Sequence, residues 1–204
     1  MIRVLCVDDH PLLREGIAAL IANQTDMELV AQAENGRQAL EQFREYLPDI
    51  TLMDLQMPEM GGIDAINAIR SEFPEARIVV LTTYAGDVQV SRALKAGARA
   101  YLLKGMLRKE LLETIRAVHA GQKRVSPEVA AEIATHSIDD GLTPREIDVL
   151  RLVAEGNANK QVAAKLSLTE ETVKSHIRSI LAKLGANDRT HAVTIGLKRG
   201  IIDL

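Results

Sequence analysis

From its start to about residue 121 the chain alternates five times between a short aliphatic run and an amphipathic segment. No other feature limits the fold as strongly. The strand candidates are Val4 to Val7, Glu28 to Ala33, Ile50 to Met53, Ile78 to Leu81 and Ala100 to Leu103. Helix candidates lie at about 12–23, 37–46, 62–72, 87–96 and 107–120, set apart by Asn35-Gly36, Pro58, Gly61-Gly62, Pro74 and Gly97. Parallel neighbours need a crossover, and crossover helices cover both faces of the sheet. Residues 1–121 are therefore expected to form an α/β, doubly wound, five-stranded parallel sheet.

Gly121 ends the alternation. Residues 122–141 read as a linker with a short helix, opened by Ser126-Pro127-Glu128 and followed by "THSIDDG". Thr143-Pro144-Arg145-Glu146 then starts a new region with a capping box, in which the first and last residues satisfy each other's backbone N–H. Four short helices are expected there, at about 144–155, 159–166, 170–184 and 189–199, punctuated by Gly156, Gly185 and Gly200. Residues 142–204 thus form a small all-α domain, of a size that folds alone.

The 47% hydrophobic content of the 204 residues is enough for two cores. No apolar run reaches the ~18 residues of a membrane span, and the N-terminus lacks the basic start and apolar stretch of a signal peptide. A cytoplasmic location is the expectation. Cys6, the single cysteine, lies within the first apolar run and reads as a buried, inert thiol. The net charge of -3 conceals an asymmetry: residues 1–121 carry 13 Lys/Arg against 17 Asp/Glu, and residues 142–204 carry 10 against 7. A mildly basic second region is compatible with a polyanionic partner.

Ligands of a doubly wound sheet bind beyond the carboxyl ends of its strands. Those ends carry Asp8 and Asp9 after the first strand, Asp54 after the third, Thr82 after the fourth and Lys104 after the fifth. Taken singly, each is a common cap, turn former or surface residue. Taken together they make a site. Three crowded carboxylates repel one another unless a cation neutralises them, and an all-oxygen set suits Mg²⁺, or Mn²⁺ in its place. A hydroxyl and an ammonium opposite would hold an anion beside that metal. The combination suits phosphoryl transfer onto a carboxylate, with Asp54 as the natural acceptor and Asp8 and Asp9 as the metal-holding pair.

The segments "VDDHPLLREGI", "DITLMDLQMPEMGGIDAI", "IVVLTTY" and "ALKAGARAYLLK" resemble the receiver domain of bacterial two-component response regulators. The resemblance implies that Asp54 is the phosphoacceptor and that Asp8, Asp9, Asp54 and the backbone carbonyl of Gln56 hold the metal. It further implies that Lys104 binds the phosphate and that Thr82 and Tyr101 form a switch, the hydroxyl moving to the phosphoryl group while the ring turns inward. Gln56 and Tyr84 stand at positions that vary in the family and affect the lifetime of the acyl phosphate. For Tyr101 a half-buried strand aromatic is the alternative.

Between 170 and 184, Val173, Ile177, Ile180, Leu181 and Leu184 fall on one stripe at ~100° per residue. The other side carries Glu171, Ser175, Arg178, Ser179 and Ala182, flanked by Lys174, a face able to enter a major groove. With the preceding helix and the turn Ser167-Leu168-Thr169 this is helix-turn-helix spacing. The run from "LTPREIDVLRLVAEG" to "GANDRTHAV" resembles the DNA-binding domain of the NarL/FixJ (LuxR-type) family. By that resemblance Lys174, Ser175 and Arg178 face the bases, and Asn159, Lys160, Thr172, Ser179 and Lys183 are candidates for phosphate contacts. "GNANKQVA" departs from relatives that place Ser or Thr before the Asn-Lys pair. Ala192, Val193, Ile195, Gly196 and Leu197 of the last helix either form a dimer contact on DNA or cap the small core.

The combined reading is a transcriptional response regulator rather than an enzyme, phosphorylated on Asp54 by a sensor histidine kinase and binding double-stranded DNA as a homodimer. One rival is a metal-dependent phosphohydrolase, whose second acid two residues after the nucleophile is here Gln56. Another is a DNA-binding protein whose first domain dimerises without phosphate.

Overall fold

The computed structural model describes residues 1–83, 87–125 and 141–202. The short helix expected from Ser126, most of the linker, and Tyr84 lie outside the described residues. The chain forms two compact units.

The first is the alternating α/β unit. Its strands are β1 (Ile2–Val7), β2 (Met27–Ala33), β3 (Ile50–Asp54), β4 (Ile78–Thr82), β5 (Ala100–Leu103) and β6 (Arg124–Val125). They are interleaved with α1 (Pro11–Ala22), α2 (Gly36–Tyr46), α3 (Gly62–Glu72), α4 (Asp87–Lys95) and α5 (Leu107–His119). The sheet order is β2-β1-β3-β4-β5-β6, with every pairing parallel. Five strands are those expected from the sequence. The sixth, two residues pairing with Ala100 and Tyr101, extends the edge by a segment too short for a periodic signal.

β3 and β4 are buried at every position, as strands covered on both faces must be. Val4, Cys6, Leu52, Val79, Leu81 and Leu102 form a core with Ile17 and Ile21 of α1 and Leu111 and Ile115 of α5. Cys6 has no exposed surface, and burial pushes its thiol up to about 12, so it is inert.

The second unit contains α6 (Pro144–Ala154), α7 (Asn159–Leu166), α8 (Glu170–Leu184) and α9 (Arg189–Lys198), all four where the periodicity places them. The Thr143 capping box is formed. The turn between α7 and α8 reverses through Ser167 in the left-handed region, closed by Leu168 N–H donating to Ala163 O at 2.8 Å. Val149, Leu150, Val162, Val173, Ile180 and Leu184 are buried together, and Ile177 and Leu181 are half-buried against them. On α9, Ala192 and Gly196 enter this core, whereas Val193, Ile195 and Leu197 are half-buried. No helix among the described residues is long and apolar enough to cross a membrane.

Candidate functional site

In the first unit the sheet delivers its chemistry at the carboxyl ends of four strands. Asp54 and Thr82 are the last residues of β3 and β4, Asp8 follows β1, and Lys104 opens a single 3-10 turn after β5. Asp8, Asp54 and Thr82 are buried, while Asp9 and Lys104 are half-buried. The Lys104 ammonium lies 2.8 Å from Oδ2 of Asp54 and 2.8 Å from Oδ2 of Asp8. The Gln56 N–H points toward Oδ1 of Asp54 at 3.4 Å. The loop carrying Gln56 closes tightly because Gly62 has no side chain: a Cβ there would stand 2.0 Å from the Asp54 carbonyl oxygen. Its N–H donates to Leu55 O at 3.0 Å instead.

One ammonium thus faces two carboxylates, with Asp9 beside them. Burial pushes the Asp54 carboxyl up, and the Asp8 charge adds to this, while the Lys104 bond pulls down without cancelling it. Burial also works against the Lys104 charge, but its bonds to Asp54 and Asp8 outweigh that and leave its pKa raised. The lysine keeps its proton, and the acids remain under-compensated. Oδ2 of Asp8 and Oδ1 of Asp9 are buried and accept no aligned hydrogen bond from the described residues, although the first has Lys104 close by and the second lies 2.7 Å from His10 Nδ1. Ligand atoms of Asp8, Asp9, His10 and Asp54 lie within 4.8 Å of one another. Crowded carboxylate oxygens of this kind fit a hard divalent cation.

Three participants escape the sequence reading. The backbone N–H of His10 donates to Oδ1 of Asp8 at 2.9 Å, and its ring nitrogen touches both acids. Arg14 donates to the backbone carbonyl of Asp8 and, at 2.8 Å, to Glu34, bracing the acidic loop from behind. The signal for Arg14 was present, since it shares the buried face of α1 with Ile17 and Ile21, where a charge needs partners.

Tyr101, on β5, is 1% exposed and so is buried rather than half-buried. Burial pushes its hydroxyl up to about 12, the nearby Asp54 charge contributes, and a hydrogen bond with Thr82 opposes the rise. The ring is turned inward.

In the second unit Lys174, Ser175 and Arg178 are exposed on one side of α8, opposite its buried stripe. Lys174 also lies 3.3 Å from Glu171. Thr172 donates its N–H to Thr169 Oγ1 at 3.1 Å and so belongs to the helix cap. Lys160 is exposed at the start of α7, where Ala158 caps without a side chain and Gln161 Oε1 accepts the Ala158 N–H at 2.7 Å. Asn159 Oδ1 is buried there without a hydrogen-bond partner among the described residues. Ser179 and Lys183 differ from the others, because both donate to Glu146, at 2.6 and 2.7 Å.

Residues 4–116 match the response regulator receiver domain, and residues 140–195 match the bacterial regulatory proteins of the luxR family. The chain is 41% identical over 205 residues to the uncharacterized transcriptional regulatory protein YhcZ of Bacillus subtilis, covering 96% of this chain and 95% of that one. It is 35% identical over 206 residues to the response regulator protein VraR of Staphylococcus aureus, covering 98% and 99%. Among solved structures, RcsB of Salmonella enterica bound to a promoter in the presence of a phosphomimetic is 27% identical, with a TM-score of 0.74 over 98% of each chain.

Proposed function

Because this chain belongs to the LuxR-family response regulators, in which a receiver domain is joined to a helix-turn-helix DNA-binding domain, we propose that Asp54 is its phosphoacceptor. The protein is a transcriptional response regulator of a two-component system. In our reading the receiver spans 1–121, the linker 122–141 and the DNA-binding domain 142–204. The observation that carries the assignment of Asp54 is the contact of Lys104 with both Asp54 and Asp8 at the carboxyl ends of three strands.

The donor is a phosphohistidine on a sensor kinase. An oxygen of Asp54 attacks phosphorus in line, the P–N bond breaks, and the imidazole leaves with the bonding pair and is then protonated. Lys104 binds a phosphoryl oxygen, moving its charge from carboxylate to phosphate. Asp8, Asp9, Asp54 and the Gln56 carbonyl would hold Mg²⁺ or Mn²⁺, which would supply positive charge to offset that of the phosphoryl oxygens. His10 and Arg14 orient the acids. Thr82 donates to the new phosphoryl group, and Tyr101 occupies the space behind it. The product is an acyl phosphate on the protein itself, so no separate substrate is turned over.

Lys174, Ser175 and Arg178 read base edges, with Asn159, Lys160 and Thr172 beside the phosphates. RcsB is described in a structure of two dimers bound to two parallel DNAs, and we assign a DNA-bound dimer here too. A regulator that reads promoter DNA works in the cytoplasm.

Treating the protein with a small phosphodonor and Mg²⁺ should add one phosphoryl mass, absent in Asp54→Ala, and shift wild type toward dimer. Steady turnover of phosphomonoesters instead would sink this reading.

A further inference from the structure

A capping-box glutamate needs one donor, the N–H of the residue that caps the helix. Glu146 takes that bond, with Thr143 N–H at 2.7 Å from Oε2. It then takes two more from a helix over thirty residues on: Ser179 Oγ donates to Oε1 at 2.6 Å and Lys183 Nζ to Oε2 at 2.7 Å. Glu146 is 4% exposed, and both of its carboxylate oxygens accept bonds inside the domain. A buried carboxylate is tolerated only when so satisfied, and losing a partner is costly.

Ser179 and Lys183 are four apart and share one edge of α8, next to the face that carries Ser175 and Arg178. Rotation of α8 about its axis, or a slide along it, would break both bonds at once. We propose that Glu146 is a positioning residue that fixes the rotation of α8 by holding Ser179 and Lys183, and that these two side chains are anchors rather than phosphate ligands. The inference rests on α8 being the recognition helix. It alters the assignment of two residues that a family resemblance alone would put on the DNA backbone. The Glu146 carboxyl is held down to about 2: burial pushes it up, and the bonds from Lys183, Ser179 and Thr143 more than reverse this.

A lysine that neutralises a phosphate leaves its mark on the salt dependence of binding, by about one unit in the slope of log affinity against log salt. An internally paired lysine leaves none. The full-length protein is titrated with the genomic fragment that it retains best, and with a shuffled duplex of equal length, over a range of salt. Lys160→Ala should flatten the slope by about one unit. Lys183→Met should leave the slope at the wild-type value while lowering the ratio of specific to shuffled affinity. Glu146→Gln should lower that ratio by about tenfold, the cost of one misread position, and steepen the slope by about one unit as Lys183 is released.

A slope flattened in Lys183→Met as much as in Lys160→Ala would overturn the anchor, with Arg178→Ala still impairing recognition. If Arg178→Ala changes neither affinity nor preference, the recognition-helix reading falls and takes the anchor with it. Should Glu146→Gln fail to fold by circular dichroism, Ser179→Ala replaces it. Loss of sequence preference at unchanged slope is then the supporting result, and full wild-type preference the opposing one.

Discussion

The ammonium of Lys104 lies 2.8 Å from Oδ2 of Asp54, across fifty residues of chain. Since the same nitrogen reaches Asp8, it is a shared counter-charge for two buried acids. Replacing it with methionine removes both the neutralisation and the group that takes the phosphoryl charge. Lys104→Met should therefore lower the rate of phosphoryl incorporation by about 10²-fold, the usual scale for losing one preorganised stabilising group. Intact-mass measurement over time reads this directly, and a wild-type rate would exclude the role.

Asp9 provides a buried oxygen with no aligned hydrogen bond from the described residues, within the acidic cluster. Asp9→Asn keeps the shape and removes the charge. Affinity for Mn²⁺, followed by the paramagnetic resonance of the free ion, should fall by about tenfold or more. A chelator should stop phosphoryl incorporation into wild type.

Two adjacent glycines should behave differently. A Cβ at Gly62 would stand 2.0 Å from the Asp54 carbonyl oxygen and 2.8 Å from Leu55 Cα, backbone atoms that cannot yield without moving the acceptor. At Gly61 the nearest atom is 3.4 Å away, an ordinary contact. Gly62→Ala should cost about 2 kcal/mol or more in urea unfolding and impair phosphorylation, whereas Gly61→Ala should change either only slightly.

Glu146 makes stability depend on pH. Its folded pKa, about 2, lies below the ordinary 4.5, so its contribution is fully present above pH 4.5 and is lost as pH falls toward 2. The size is on the order of 1–2 kcal/mol, below the full shift because the Lys183 partner is partly exposed to solvent. Thermal unfolding followed at 222 nm should show this loss between pH 4.5 and 2 in wild type. In Glu146→Gln the same window should be flatter.

Nearly all of the architecture was legible, because burial has a period. β3 and β4 read as unbroken aliphatic runs since both faces are covered, and α8 reads as a stripe since one face is. The acids and the lysine could be grouped because topology sends all parallel strand ends to one edge. His10 and Glu34 were not legible in the same way, and Arg14 only as a charge on a buried helix face, since their partners depend on how the loops after β1 and β2 meet. β6 escaped because two residues have no period.

The alternation of residue types determined by itself the order and kind of the elements, and through them which side chains share the edge of the sheet and which face of α8 meets solvent. Only the tertiary structure decided how the polar groups are allotted. A carboxylate has two oxygens and a lysine one charge, so which partners they satisfy depends on distances between segments far apart in the chain. Lys174 and Arg178 were left exposed on α8, while Ser179 and Lys183, on the same helix, were committed to a glutamate 33 and 37 residues earlier.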